Sequence, residues 1–493
     1  PKAQRDVLEL ISLAGPVPVS LLLALADEVD VDHLIETHLL QVDTQSTGIP
    51  AVRLSHPVYG ETIRGLVPPG RRRALHQRMA AARSAAEGES LPGLLRRVSL
   101  AVESGEVPDP ARLLEAATLA NHLQDAHAAV RFAGIALSVP ADDAVRAGAL
   151  AERAEAYRML LSTNLAWADL DQLAALPAGS ASAQVQGRAA VTGARLAYLT
   201  ANDADRAMQI LDAAVDDVAG DADACARVRG YLLATRLYTA QLRADGDDTT
   251  IEEAIAFLGD ASLPLDARVR ACFGLQAALG QRGRHREAQQ LATAVLATLR
   301  RDQSPATAYI PEIRAAYFLT LLWSGDVPAA TSLLSDESDL DLAGVAHYSD
   351  LPQVGKGLLR LAHGHWSDAL AEVRAAVVAL RSVDLPGMLA YALAINALAA
   401  AWSGEFGEAV RLRAEALATP LRASAALLGD LRRALAWVAF ALDEDTADRQ
   451  AIDLAEWAAQ HGLAMIELDA WHAAVLIAAA RGPGAGRPPL AEL

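Results

Sequence analysis

Gly283-Arg-His-Arg-Glu-Ala288, Gly325-Asp-Val-Pro-Ala-Ala330, Gly364-His-Trp-Ser-Asp-Ala369 and Gly404-Glu-Phe-Gly-Glu-Ala409 are four versions of one phrase. The glycine of each stands where a helix can stop, because it enters left-handed backbone without a Cβ penalty. The alanine opens the packed face of the helix that follows. These alanines succeed one another at 42, 39 and 40 residues, and looser copies centre on Ala129, Ala168, Ala207, Ala254 and Ala451. Small residues return three or four positions later, as in Leu291-Ala292 and Leu454-Ala455, and keep one face narrow and apolar. Self-similarity at such a period means stacked helical hairpins, each burying its face against its neighbours.

The interval is longer than the strict tetratricopeptide unit of about 34 residues, so the repeat is a relaxed version of it. Residues from about 110 to 480 are therefore expected to form eight or nine antiparallel helix pairs in a right-handed superhelix. Composition agrees. Of the 493 residues 52% are apolar but only 4% aromatic, with alanine and leucine supplying most of the apolar share. Ala and Leu lose little entropy in a helix, and Ala lets helices approach closely.

The first ninety residues read differently. Val7, Leu8, Leu10, Ile11 and Leu13 make a helix that Gly15-Pro16-Val17-Pro18 ends. Two more helices follow, Val19 to Ala26 and Val31 to Leu40, the second with Asp30 as its expected N-cap. The period then changes to that of a β-hairpin, Leu40-Gln41-Val42-Asp43 and Ala51-Val52-Arg53-Leu54 about Thr47-Gly48. Helical sequence resumes after Pro57 and after Pro68-Pro69-Gly70. Three helices, a hairpin and a closing helix make a winged-helix pattern. The expected fold class is all-α: a small winged-helix domain over 1–90, a tetratricopeptide-like α-solenoid over 91–480, and a Gly/Pro-rich linker over 481–493. A linker joining nothing, and a first residue other than Met, are read as signs of a longer natural protein; removal of Met before Pro1 would also explain the second.

Lys and Arg total 43 against 61 Asp and Glu, a net charge of −18, so the phosphate backbone of DNA would repel this segment. The same charge serves solubility. Cys225 and Cys272 make no disulfide framework and suit a reducing, cytoplasmic setting. No apolar run reaches membrane-spanning length, Ala473 to Ala480 being too short, and the N-terminus has no signal-peptide pattern.

Val52-Arg-Leu-Ser-His-Pro-Val-Tyr-Gly-Glu61 resembles the HPLYGE stretch in the winged helix of large MalT-type LuxR-family transcriptional regulators, particularly actinobacterial ones. Leu13-Ala-Gly-Pro-Val-Pro-Val and Val67-Pro-Pro-Gly-Arg-Arg-Arg-Ala-Leu-His76 are similar to the same family. The resemblance covers the whole chain in architecture, but its specific motifs lie in the first ninety residues. These regulators belong to the STAND class, and their order is NTPase, winged helix, tetratricopeptide-like sensor, LuxR-type helix-turn-helix. Two modules have no counterpart here. Gly355-Lys356 is followed by Gly357 and lacks the phosphate loop, and no LuxR-type helix pair is recognisable. Pro489-Leu-Ala-Glu-Leu493 is similar to the linker that precedes that pair. The resemblance thus implies a sensor region with NTPase and helix-turn-helix modules as partners in cis. It implies no cofactor in this chain, with ADP or ATP expected only on the NTPase. It also places His56 where a STAND histidine reaches the β-phosphate of ADP; the alternative is a histidine that fixes the turn before Pro57.

Tyr309, Arg314, Tyr317, His347 and Tyr348 cluster polar-tipped aromatics and a charge around one helix pair, as an effector groove would. Core packing is the alternative for each. His363-Gly364-His365 is read as a solvated turn, and His33 and His38 at five residues do not share a helix face, so no metal is expected. Arg71-Arg72-Arg73 reads as a solvated helix face. Trp323, Trp366, Trp402, Trp437, Trp457 and Trp471, in register with the repeats, read as packing anchors. No Gly-x-Ser-x-Gly elbow or Cys/His signature is present, so an enzyme is not expected. The expected function is a sensor binding a small-molecule or protein effector, with a free-standing tetratricopeptide scaffold as the alternative.

Overall fold

The computed structural model describes residues 2–43, 50–86, 91–201, 203–242, 248–302, 305–335, 351–382, 384, 388–420 and 425–481. The hairpin turn Thr47-Gly48, His347, Tyr348 and the linker beyond Arg481 lie outside them. The chain forms two compact units, Pro1–Asn121 with Asp125–Ala156, and His122–Gln124 with Tyr157–Leu493.

The first unit contains α1 (Lys2–Ala14), β1 (Val17–Pro18), α2 (Val19–Leu23), α3 (Glu28–Glu36), β2 (Leu40–Asp43), β3 (Ala51–Leu54), α4 (Pro57–Leu66), α5 (Pro69–Ala86), α6 (Leu91–Glu103), α7 (Pro110–His122), α8 (Ala126–Ser138) and most of α9 (Asp143–Met159). Val7, Leu10 and Ile11 recur at helical spacing and are buried on one face of α1. They pack with Val17, Leu22, Leu40, Val52, Leu75 and Met79 into one core. The hairpin is present, with Leu40 opposite Leu54 and Val42 opposite Val52. Val17–Pro18, expected only to stop a helix, adds a third strand beside β3, giving the order β1-β3-β2. Helix α3 begins earlier than expected. Its cap is Asp27, whose carboxylate accepts the Val29 N–H at 3.1 Å, while Asp30 lies in the first turn, where the helix dipole favours a negative charge. The basic run is tied down: Arg71 pairs with Asp6 and Glu9, and Arg72 donates to the Arg64 carbonyl at 2.8 Å.

The second unit contains α10 (Thr163–Ala174), α11 (Ala183–Ala201), α12 (Ala204–Asp217), α13 (Ala222–Leu242), α14 (Asp248–Gly259), α15 (Leu265–Gln281), α16 (His285–Asp302), a 3-10 turn (Pro305–Tyr309), α17 (Ile310–Trp323), α18 (Val327–Ser335), α19 (Leu351–Ala362), α20 (Trp366–Ser382), α21 (Leu389–Trp402), α22 (Phe406–Ala418), α23 (Ala425–Ala441), α24 (Ala447–Gln460) and α25 (Ala464–Arg481). The four phrases close their helices in one way. Gly283, Gly325, Gly364 and Gly404 have φ of 74°, 77°, 76° and 81°. The next N–H reaches back to close the last turn, as from Arg284 to the Leu279 carbonyl at 2.9 Å and from Glu405 to that of Ala400 at 2.9 Å. Ala288, Ala330, Ala369 and Ala409 are all buried.

The same turn occurs without glycine. Gln124, Leu161 and Asp443 adopt φ of 61°, 56° and 58°, and their following residues make the same long reach. Counting five residues on from Leu161 gives Ala166, which is buried, whereas Ala168 is exposed. The repeat register there lies two residues before the expected one. Helices α13 and α15 touch closely at Gly230, where a Cβ would meet the Ala267 carbonyl oxygen at 2.3 Å. Residues Ala390 to Ala401 of α21 are buried on every side. Within this unit the array also meets itself far along the chain: α13 touches α23, and α15 touches α25.

Candidate functional site

Stacking places α11, α13, α15 and α17 side by side as the first helices of successive pairs. The first three carry Arg188 and Arg195, then Arg227, Arg229 and Arg236, then Arg268 and Arg270; their only acids are Asp223 and Asp266. This row concentrates arginine in a chain of charge −18, with Arg227 paired to Asp266 at 2.7 Å, Arg229 to Glu253 at 3.7 Å and Arg236 to Asp212 at 3.0 Å. At its centre the Tyr231 and Tyr309 hydroxyls lie 3.3 Å apart. The Arg270 guanidinium sits 4.5 Å from the Tyr231 ring centre and 5.7 Å from that of Tyr309. Arg270 also pairs with Glu312 at 2.6 Å, their side chains being 15% and 16% exposed. Arg195 approaches the Tyr231 ring from α11 at 6.0 Å.

Burial holds the Tyr309 hydroxyl well above the ordinary phenol range, with the Tyr231 hydroxyl adding to it and Arg270 opposing. Burial likewise pushes Tyr198 up to about 12. Both phenols therefore stay neutral at physiological pH and can donate. Stacked arginine, neutral phenols and an arginine-rich surround can orient a carboxylate-bearing ligand with an apolar body.

Of the groove residues expected from sequence, Tyr309 takes part. Arg314 instead turns inward, buried, and donates to the Leu333 carbonyl in the last turn of α18. Tyr317 is partly buried between the cores of neighbouring helix pairs. His347 and Tyr348 lie outside the described residues. Tyr231, Arg195, Arg270 and Glu312 were not singled out from sequence; the signal for them is the run of arginines on alternate helices. His56 is an exposed N-cap of α4, its Nδ1 accepting the Val58 N–H at 3.3 Å, with its ring 5.8 Å from that of Tyr59. His363 and His365 lie 6.2 Å apart, and among the described residues no group of three or more His, Cys, Asp or Glu could hold a metal. Trp366, Trp402 and Trp437 form a ladder at 5.7 and 6.0 Å, but Trp366 and Trp402 are each 37% exposed rather than buried as anchors of the core. Among the described residues no helix is long and apolar enough to cross a membrane.

No family model and no curated protein matches this sequence. Solved structures do. A STAND protein with a tetratricopeptide repeat sensor from Pyrococcus horikoshii aligns over 95% of this chain at 12% identity and a TM-score of 0.37; this chain spans 65% of its length. A Rap protein complexed with Competence and Sporulation Factor aligns over 76% of this chain and 92% of its own, at 10% identity and a TM-score of 0.43. Yeast Tom70 aligns over 83% and 93%, at 12% identity and a TM-score of 0.36. This chain is similar to them in fold alone, as a tetratricopeptide-like array of helix pairs.

Proposed function

We propose that this chain is the sensor and signal-transmission region of a LuxR-family regulator of the STAND class. An effector, a small molecule or protein segment bearing a carboxylate, binds the arginine-rich aromatic face of α11, α13, α15 and α17. It acts on an NTPase and a helix-turn-helix carried elsewhere on the same polypeptide. The supporting observation is the Tyr231–Tyr309–Arg270 cluster, set on an arginine-rich row in an acidic chain. The first unit, a three-stranded sheet packed on helices, is in this reading the winged helix, with His56 toward the nucleotide. ADP or ATP belongs to the NTPase, and this chain neither catalyses nor binds duplex DNA.

The test uses the full-length regulator. Tyr309→Phe removes one hydroxyl and keeps the ring, so effector-dependent transcription should fall about tenfold, as for loss of a buried ligand hydrogen bond, with ADP release unchanged. His56→Asp keeps a capping oxygen but loses the imidazole, so ADP release should quicken. Unchanged effector response in Tyr309→Phe would refute the groove. Unchanged ADP release in His56→Asp would leave His56 a helix cap and favour a free-standing protein-binding scaffold.

A further inference from the structure

Large apolar side chains are exposed together where α20 and α22 lie side by side. Two ion pairs join these helices, Arg374 to Glu405 at 3.4 Å and Arg381 to Glu415 at 2.6 Å. Trp366 and Phe406 open them, each two residues after the turn glycine of its phrase, where the earlier phrases place His285 and Val327. Both rings are exposed, and the Trp366 ring stacks on that of Trp402, also exposed, at 5.7 Å and 27°. Along α22 the exposure continues at helical spacing through Val410 to Leu417, which is 68% exposed, and Val378 of α20 is exposed as well. Apolar surface gathered in this way marks a place that something covers.

The described residues end at the border of this surface. Arg481, the last residue of α25, holds its guanidinium 5.4 Å from the Phe440 ring centre, and the Phe440 ring lies 6.3 Å from that of Trp402. The same guanidinium donates to the Glu444 carbonyl at 2.6 Å. The Glu444 carboxylate pairs in turn with Arg413 at 2.6 Å, on the stretch of α22 between Val410 and Leu417. Residues 482–493 follow, outside the described ones, with the sequence Gly-Pro-Gly-Ala-Gly-Arg-Pro-Pro-Leu-Ala-Glu-Leu. A segment of that length reaches about 40 Å when extended, whereas α22 from Phe406 to Leu417 covers about 17 Å. Proline favours polyproline II, which aromatic surfaces bind at low entropic cost.

We propose that the exposed aromatic and apolar surface of α20 and α22 is the docking site of the chain's own residues 482–493, with Pro488 and Pro489 on the Trp366 and Trp402 rings and Leu490 against Phe406 and Val410. Attachment at Arg481 gives the segment a high effective concentration at this surface, so a few apolar contacts are enough to hold it. A second copy is the poorer occupant, because two chains of charge −18 repel each other. This surface is separate from the effector face on α11 to α17 and does not rest on it.

Disulfide trapping in the intact chain tests this, with Cys225→Ser removing the half-buried thiol. Leu490→Cys is combined either with Val410→Cys on the proposed surface or with Leu476→Cys, an exposed position on α25 that is nearer to residue 490 along the chain. Under oxidised glutathione the first pair should close within one molecule about tenfold faster than the second, because docking raises the effective concentration above that of the tether alone. Pro488→Gly together with Pro489→Gly should erase that difference, since the polyproline II preference is lost. Helix content by circular dichroism shows that the variants are folded. Equal rates for the two pairs, or a difference that survives the two glycines, would overturn the proposal. Disulfides formed between molecules instead would assign the surface to a second copy and overturn it equally.

Discussion

Two cysteines in one chain differ by burial alone. Cys272 is completely buried, and burial pushes its thiol up to about 12 against a weaker opposing contact from Gln276. Cys225 is only half-buried. Since the thiolate is the reactive form, iodoacetamide at neutral pH should label Cys225 in the native protein and Cys272 only after unfolding, which peptide mass spectrometry reads directly. Labelling of both at one rate would mean that α15 opens readily. Asp469 makes a pH-dependent case. Its carboxyl is raised by burial first and by Asp430 as well, against Arg433, His472 and His285. A raised native value means that the stability is full below the ordinary carboxylate range and is lost as pH rises through the native value. Asp469→Asn should therefore stabilise the chain at neutral pH, by less than about 1 kcal/mol because the side chain is 39% exposed, which a raised melting temperature would show. Below the carboxylate range the gain should vanish.

Helix pairs are legible in this sequence where glycine marks the turn, and hidden where another residue makes it. Gly283, Gly325, Gly364 and Gly404 announce left-handed backbone, whereas Gln124, Leu161 and Asp443 adopt it with a side chain. That is why the register about Ala168 reads two residues late from sequence. It also gives a prediction against the usual rule that glycine destabilises. A left-handed non-glycine residue costs about 1 kcal/mol, and Leu161 is 44% exposed, so it has limited burial to lose. Leu161→Gly should stabilise the chain by about 0.5 kcal/mol in chemical denaturation; a loss would mean that the leucine packs usefully at its turn. The strand Val17–Pro18 is illegible for another reason: two residues carry no period, and only pairing with Ala51–Val52 defines them. The candidate site is legible at Tyr309 and not at Tyr231, because 78 residues separate two hydroxyls that meet only when α13 and α17 flank α15.

A simple solenoid is a chain of nearest-neighbour interfaces, so damage in one pair spreads only to the adjoining pairs. The second unit departs from that rule, because α13 meets α23, α15 meets α25, and Trp323 is tied to Asp430 across 107 residues. Asp430 is the knot of this closure, accepting from Trp323 and Arg433 together with little solvent to replace either. Asp430→Asn keeps the shape but removes the charge that compensates the guanidinium. It should cost about 1–3 kcal/mol, the penalty for leaving a partly buried charge short of its partner. The place where protection is lost carries the argument. If the closure is energetically coupled, native-state hydrogen exchange should quicken in α15 and α17 as well as in α21 to α24, although α15 and α17 are remote in sequence from the substitution. Faster exchange confined to the neighbours of α23 would show instead that the array behaves as an open solenoid whose distant helices touch without sharing stability. A coupled closure also defines what an effector on α11 to α17 could move. It would bias helices that already bear on α23 and α25, so that binding at one end of the array shifts packing at the other through contacts present in the resting fold.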